Sequence, residues 1–130
     1  MALYVADTHA LVWYLSGSPL LGETARRAFD EAASSESRVI VPVISLAELV
    51  MMIEKGRSGV DVAAVMAALR ATPGFEIRPL TPEVALSIQS LTALPDIHDR
   101  LIVAEAIADK ATLITRDQSI TASGLVQTIW

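Results

Sequence analysis

The sequence predicts an α/β fold, three layers in outline, in which helices flank a mostly parallel central sheet. Two observations carry the prediction. Short apolar runs alternate with stretches of helical composition along the chain, and those runs lack the polar alternation of a sheet with one wet face. Parallel strands need crossover connections, which the intervening helices supply.

Leu3 to Asp7 is the first apolar run and reads as a strand, followed by helical composition from Ala10 to Leu15. Ser16-Gly17-Ser18-Pro19 breaks that helix, and Gly22 to Ala33 carries Ala25, Ala28, Phe29 and Ala32 at helical spacing. Val39 to Pro42 is β-branched and short. Ser45 then opens a helix from Leu46 to Glu54, with Leu46, Leu49, Val50 and Ile53 as its apolar stripe. Lys55 to Gly59 reads as a loop, Val60 to Leu69 as helix, and Phe75 to Pro79 as a strand after the turn Thr72-Pro73-Gly74. Thr81-Pro82-Glu83 supplies an N-cap, a proline at the first helical position and an early acid, which predicts helix from Val84 to Leu91. Asp96 to Asp109 follows as a longer helix, then Thr112 to Thr115 and Val126 to Ile129 as buried strands.

Composition narrows the function. A chain of 130 residues fits a single domain, 1–130, and an apolar fraction of 52% excludes disorder and implies apolar surface that meets a partner. With no cysteine, thiolate nucleophiles, disulfides and sulfur-ligated metals are excluded. Ten basic against fifteen acidic residues argue against a protein that coats nucleic acid, while transient cutting stays compatible with that balance. The longest aliphatic run, Val62 to Leu69, is too short to span a bilayer, and the apolar N-terminus is interrupted by Asp7 without a basic flank. A cytoplasmic protein with no membrane partner is expected.

Four carboxylates recur at equivalent places: Asp7 closing the first strand, Glu48 after the second, Asp99 in the first turn of the long helix, and Asp117 after the strand Thr112 to Thr115. In an open α/β sheet the carboxyl ends of parallel strands share one edge, so these acids are expected to meet. Two carboxylates at ~4 Å repel by roughly 4 kcal/mol at an effective dielectric of 20, and a cation offsets that repulsion. With oxygen ligands alone, Mg²⁺ or Mn²⁺ suits the set. Asp7 and Asp99 are the expected metal ligands. Glu48 and Asp117 would complete the shell directly or through water, and either can orient or deprotonate an attacking water in phosphodiester hydrolysis.

Each acid also has a structural explanation. Ser45-Leu46-Ala47-Glu48 matches a capping box, Asp96 can cap its helix, Asp99 can answer the helix dipole, and Asp117 can cap the segment after it. Asp7, ending an apolar strand, is the one acid without such an account. Arg100 and Arg116, each beside a site acid, suit phosphate contacts or ion pairs. His9 and His98 have no metal-ligand spacing and read as partly exposed polar residues. No glycine run forms a phosphate loop, and no serine sits in a nucleophile elbow.

Four segments together resemble PIN-domain proteins, VapC-type toxins in particular: Tyr4 to Trp13, Ile44 to Leu49, Asp96 to Ala104, and Leu113 to Asp117. The resemblance spans nearly the whole chain. It departs from the family's frequent D-P-F-D-R pattern, which here reads Asp96-Ile97-His98-Asp99-Arg100, so Asp96 is either a cap or an outer acid. The resemblance implies a Mg²⁺-dependent endoribonuclease, toxin of a toxin-antitoxin pair, with Asp7, Glu48, Asp99 and Asp117 as its catalytic acids. It further implies an RNA substrate, a homodimer, and a cognate antitoxin whose segment occupies an apolar groove near Trp13 and Met51. Thr115 places a hydroxyl near the metal or a bound water, or is a structural strand threonine. The alternative is a non-catalytic α/β binding or regulatory module whose acids are helix caps. A phosphoacceptor receiver is disfavoured, since Thr8 follows Asp7 and Val126 to Ile129 carries no lysine.

Overall fold

The computed structural model describes residues 1–56 and 59–130. Among these, the first half runs β1 (Ala2–Ala6), α1 (Thr8–Ser16), α2 (Glu23–Ala33), β2 (Ser37–Pro42), α3 (Val43–Glu54) and α4 (Val62–Ala71). The second half runs β3 (Phe75–Arg78), α5 (Pro82–Ser87) with a 3-10 turn at Ile88–Ser90, α6 (Ile97–Ala108), β4 (Thr112–Ile114), α7 (Gln118–Ser123) and β5 (Thr128–Ile129). The sheet order is β3-β2-β1-β4-β5, and every pairing is parallel. The α/β class is therefore as the alternation predicts, with "mostly parallel" becoming wholly parallel among the described strands.

Alternate residues of the strands face opposite layers. Ala6, Val39, Val41 and Ile114 pack with Leu11 and Phe29 from α1 and α2. Val5, Ile40 and Leu113 pack with Leu94, Ile102 and Val103 on the α6 side. Both faces are covered, which is why the strands read as unbroken apolar runs. Phe29 is wholly buried, and such burial contributes roughly 2–3 kcal/mol. Tyr14 stacks on it at 4.6 Å between ring centres and donates its hydroxyl to Asp30 at 2.9 Å. Trp13, one residue earlier, points elsewhere, as helix geometry requires.

Three expectations need correction. Helix α3 begins at Val43 with Pro42 as its N-cap, so Ser45 lies inside the helix and the capping box does not form. Ser45 instead donates its hydroxyl to the Ala6 carbonyl at 3.2 Å and ties α3 to β1. The helix expected over Val84 to Leu91 starts at Pro82 behind its N-cap Thr81, as the cap residues predict, but tightens to 3-10 geometry at Ile88 and ends at Ser90. Helix α7 was not expected from its Ser and Thr content; Asp117 nucleates it by accepting from the Ile120 N–H at 2.9 Å. The loop expected over Lys55 to Gly59 includes Arg57 and Ser58, which lie outside the described residues.

β1 is the central strand, with β2 on one side and β4 on the other. The first crossover leaves it in one direction and the later strands extend in the other, so a crevice opens between the carboxyl ends of β1 and β4.

Candidate active site

Asp7 stands at the mouth of that crevice. It is the N-cap of α1, its Oδ1 accepting from the Thr8 N–H at 2.7 Å, so this acid too has a capping role that the sequence did not reveal. Its Oδ2 accepts from the Thr115 hydroxyl at 2.6 Å, and Thr115 Oγ in turn accepts from the Asp117 N–H at 3.1 Å. Thr115 is 2% exposed and spans the seam between β1 and β4, which makes it a positioning group for Asp7.

The hydrogen-bond path continues on the other side. The buried Thr8 hydroxyl donates to Glu48 Oε1 at 2.8 Å, and Glu48 Oε2 lies 3.4 Å from His98 Nδ1. Glu48 therefore faces the crevice and not its own helix start. A path of polar contacts runs from Asp117 through Thr115, Asp7, Thr8 and Glu48 to His98, joining the β4 loop, α1, α3 and α6. His98 is exposed, as expected, and its ring lies beside a site acid.

Asp96 caps α6, accepting from the His98 and Asp99 N–H groups at 2.7 and 3.1 Å. Asp99 lies in the first turn, facing the other acids. Burial, then the negative charges of Asp117, Asp96, Asp7 and Glu48, push its carboxyl up to about 6. Burial also raises Asp7 above its ordinary value, opposed by the hydrogen bonds from Thr115 and Thr8 and reinforced by the Asp117 charge. Asp7, Glu48 and Asp117 all bear on Asp99, and that convergence of negative charge is the electrostatic signature of the site.

Among the described residues no three His, Asp or Glu side chains converge into a ready-made metal cage. Mg²⁺ does not require one, because it keeps several waters and is held through one or two carboxylates. Asp7 and Asp99 fit that demand. The Asp7 oxygens each retain a lone pair beyond the hydrogen bond they accept, and the donors are all oxygen.

The two arginines separate. Arg100 donates to the carbonyls of Leu94 and Ile88, bracing the connection that precedes α6. That contact takes the place of its expected ion pair. Arg116 is exposed, with its guanidinium 4.4 Å from the centre of the Trp13 ring. A cleft of about 240 Å³ beside Asp7 is lined by His9, Trp13, Thr115, Arg116, Asp117 and Trp130. Sequence reasoning missed this enclosure, since Trp13 and Trp130 lie at opposite ends of the chain. A second, more apolar cleft of about 290 Å³ lies on the other side of His9 and is lined by Thr8, Glu48, Met51, Met52, Lys55 and His98.

Comparison with solved structures gives matches over essentially the whole chain. VapBC2 from Rickettsia felis, solved bound to a DNA fragment from its promoter, superposes with a TM-score of 0.73 at 18% identity, covering 98% of this chain and 97% of that one. VapC20 from Mycobacterium tuberculosis, described as a sarcin-ricin loop cleaving toxin, gives 0.68 at 19% identity, covering 97% and 98%. FitAcB from Neisseria gonorrhoeae gives 0.67 at 20% identity, covering 98% and 96%. No curated protein sequence matches the chain. Against models of known families, residues 4–122 match the PIN domain. A match of that extent, on a wholly parallel sheet with its acids gathered at the carboxyl ends of the central strands, makes this chain a member of the PIN domain family.

Proposed function

We propose that this protein is a VapC-type toxin, an endoribonuclease that hydrolyses RNA phosphodiesters with Mg²⁺ or Mn²⁺, and that a cognate antitoxin restrains it. The observation that carries the reading is the gathering of Asp7, Glu48, Asp99 and Asp117 at one sheet edge, with Asp99 driven up to about 6 by burial and by the other acids. A helix cap has no need of such crowding. The structural neighbour described as a toxin-antitoxin complex from Klebsiella pneumoniae, and the one described as a sarcin-ricin loop cleaving toxin, support the same reading.

Asp7 and Asp99 would hold the cation, which when bound supplies charge neutralisation at the phosphate and a more acidic water. Thr115 and the Thr8 N–H fix the Asp7 carboxylate in place, so its lone pairs face the crevice without reorganisation. Glu48, oriented by the Thr8 hydroxyl, and Asp117, anchored on the first turn of α7, flank the position of an attacking water and orient it or take its proton.

The antitoxin is assigned to the apolar cleft beside Glu48, where Met51 is 52% exposed and Val50 adjoins it. Exposed Leu86 and Ile97 suit a homodimer contact. A toxin acting on cellular RNA would work in the cytoplasm; no helix among the described residues is long and apolar enough to cross a membrane.

The test is cleavage of a mixed RNA pool by antitoxin-free protein in Mg²⁺ or Mn²⁺, beside EDTA, Asp7→Asn and Asp99→Asn. Cutting that disappears in all three controls is expected. Cutting that survives the chelator or the Asp7 substitution would overturn the mechanism. A folded wild type whose melting is indifferent to both cations would favour the binding module with capping acids, a reading that the caps formed by Asp7, Asp96 and Asp117 keep in view.

A further inference from the structure

The cleft beside Asp7 has walls that the hydrolytic chemistry does not use. Trp13 and Trp130 meet edge to face at 5.7 Å between ring centres, and the His9 ring lies 5.4 Å from Trp13. The Arg116 guanidinium sits 4.4 Å from the Trp13 ring centre and 5.9 Å from that of Trp130. Both indoles are only partly buried. Trp130 is seated there by Gly22: a Cβ on residue 22 would come within 2.5 Å of the Trp130 backbone and 2.6 Å of its indole, so the absent side chain is what admits the ring. Two indoles, an imidazole and a guanidinium thus enclose about 240 Å³ that opens directly onto Asp7, Thr115 and Asp117.

We infer that this cleft receives the unpaired base of a single-stranded RNA nucleotide next to the phosphate held at the acids. The inference rests on the nuclease reading and adds to it how the substrate is gripped. Aromatic rings and guanidinium planes are the groups on which splayed-out bases stack, and every base offers a π-face. The space suits one planar heterocycle, being smaller than a pocket for a drug-sized ligand. The net charge of −5 points the same way, because a protein with so little positive potential gains little from phosphate contacts to its own side chains. Arg116 is the single arginine lining the cleft among the described residues, so binding is expected to depend only weakly on salt. A base paired in a duplex cannot enter, and the site therefore selects loops, bulges and single strands.

The experiment measures fluorescence anisotropy of a labelled single-stranded hexaribonucleotide titrated with the full chain in EDTA. The comparison strands are the same sugar-phosphate with its bases removed, and the same sequence in a duplex. The intact strand should bind about tenfold tighter than either comparison strand. Trp13→Leu and Arg116→Ala should erase that preference, and Arg116→Ala, on the surface, should leave the melting temperature unchanged. Equal binding of the intact and base-free strands overturns the inference, as does a preference that survives in Arg116→Ala and in a folded Trp13→Leu. Cleavage of the intact strand in Mg²⁺ separates the two readings. Cutting without any base preference removes the stacking cleft and leaves the nuclease, whereas base preference without cutting removes the nuclease and leaves the cleft.

Discussion

At the residue scale, the acids are held against their own repulsion, and this has a measurable cost. Asp99 is raised from 3.8 to about 6 in the folded chain, so folding takes up a proton between those values and stability falls as pH rises through them. Asp99→Asn should therefore melt a few degrees higher than the wild type at pH 7.5, with RNA cleavage lost, and the gain should shrink by pH 4, as thermal scans at the two pH values would reveal. An equal gain at both pH values would mean that packing, and not charge, sets the difference. Asp7, Asp99 and Asp117 were legible in the sequence because each follows or opens an element with a clear period. The position of Glu48 was legible from its place after the second strand, but what orients its side chain was not. Its partner Thr8 is 40 residues away and no local pattern records that bond, whereas the local capping-box pattern pointed to a bond that does not form. Arg100 was misread for a related reason: its neighbour in sequence is an acid, yet its guanidinium finds backbone carbonyls six and twelve residues back.

At the scale of elements, two junctions support the sheet. Gly74 leads into β3 where the strand passes the end of α2, and a Cβ there would lie 1.9 Å from the Ala32 carbonyl oxygen. Backbone cannot yield as a flexible side chain does, so Gly74→Ala should destabilise by about 2 kcal/mol or more in urea titrations. On the opposite face of the sheet's edge, Arg78 of β3 joins α6 through Asp109 at 2.6 Å and Glu105 at 3.6 Å. Glu105 is 4% exposed, and burial together with the adjacent Asp109 raises its carboxyl to about 7, from 4.5. The folded state thus holds this proton more tightly than the unfolded chain, and stability present below pH 4.5 is lost as pH rises through 7. Glu105→Gln keeps a donor for Asp109 and removes the titration. Its unfolding free energy should change less between pH 5 and 8 than that of the wild type, by on the order of 1 kcal/mol. The strands and the longer helices were legible because apolar period and caps agree along them. Helix α7 was not, because Ser and Thr have weak helical preference and the helix depends on a single cap.

At the scale of the whole molecule, a cation would join groups carried by separate parts of the chain. Asp7 ends β1 and Asp99 opens α6, so a cation shared by them ties the start of the sequence to its last third. Millimolar Mg²⁺ or Mn²⁺ should raise the melting temperature saturably, by an amount equivalent to about 2.7 kcal/mol at a hundred times the dissociation constant. In Asp7→Asn and Asp99→Asn that rise should vanish, even though Asp99→Asn melts higher in EDTA; a persisting rise would locate the cation elsewhere. The fold class was legible because alternation and burial on both faces leave few arrangements of parallel strands. The aromatic cleft was not, because it closes only when the two ends of the chain meet. The Asp7 to Thr115 bond spans 108 residues, and it carries a consequence for synthesis. As the chain leaves the ribosome, β1 can pair with β2 early, but its other edge waits for β4, and the carboxylate of Asp7 waits with it. The acids are therefore scattered until the last strands arrive, and on the nuclease reading proposed above a partly made chain has no assembled centre with which to cut RNA.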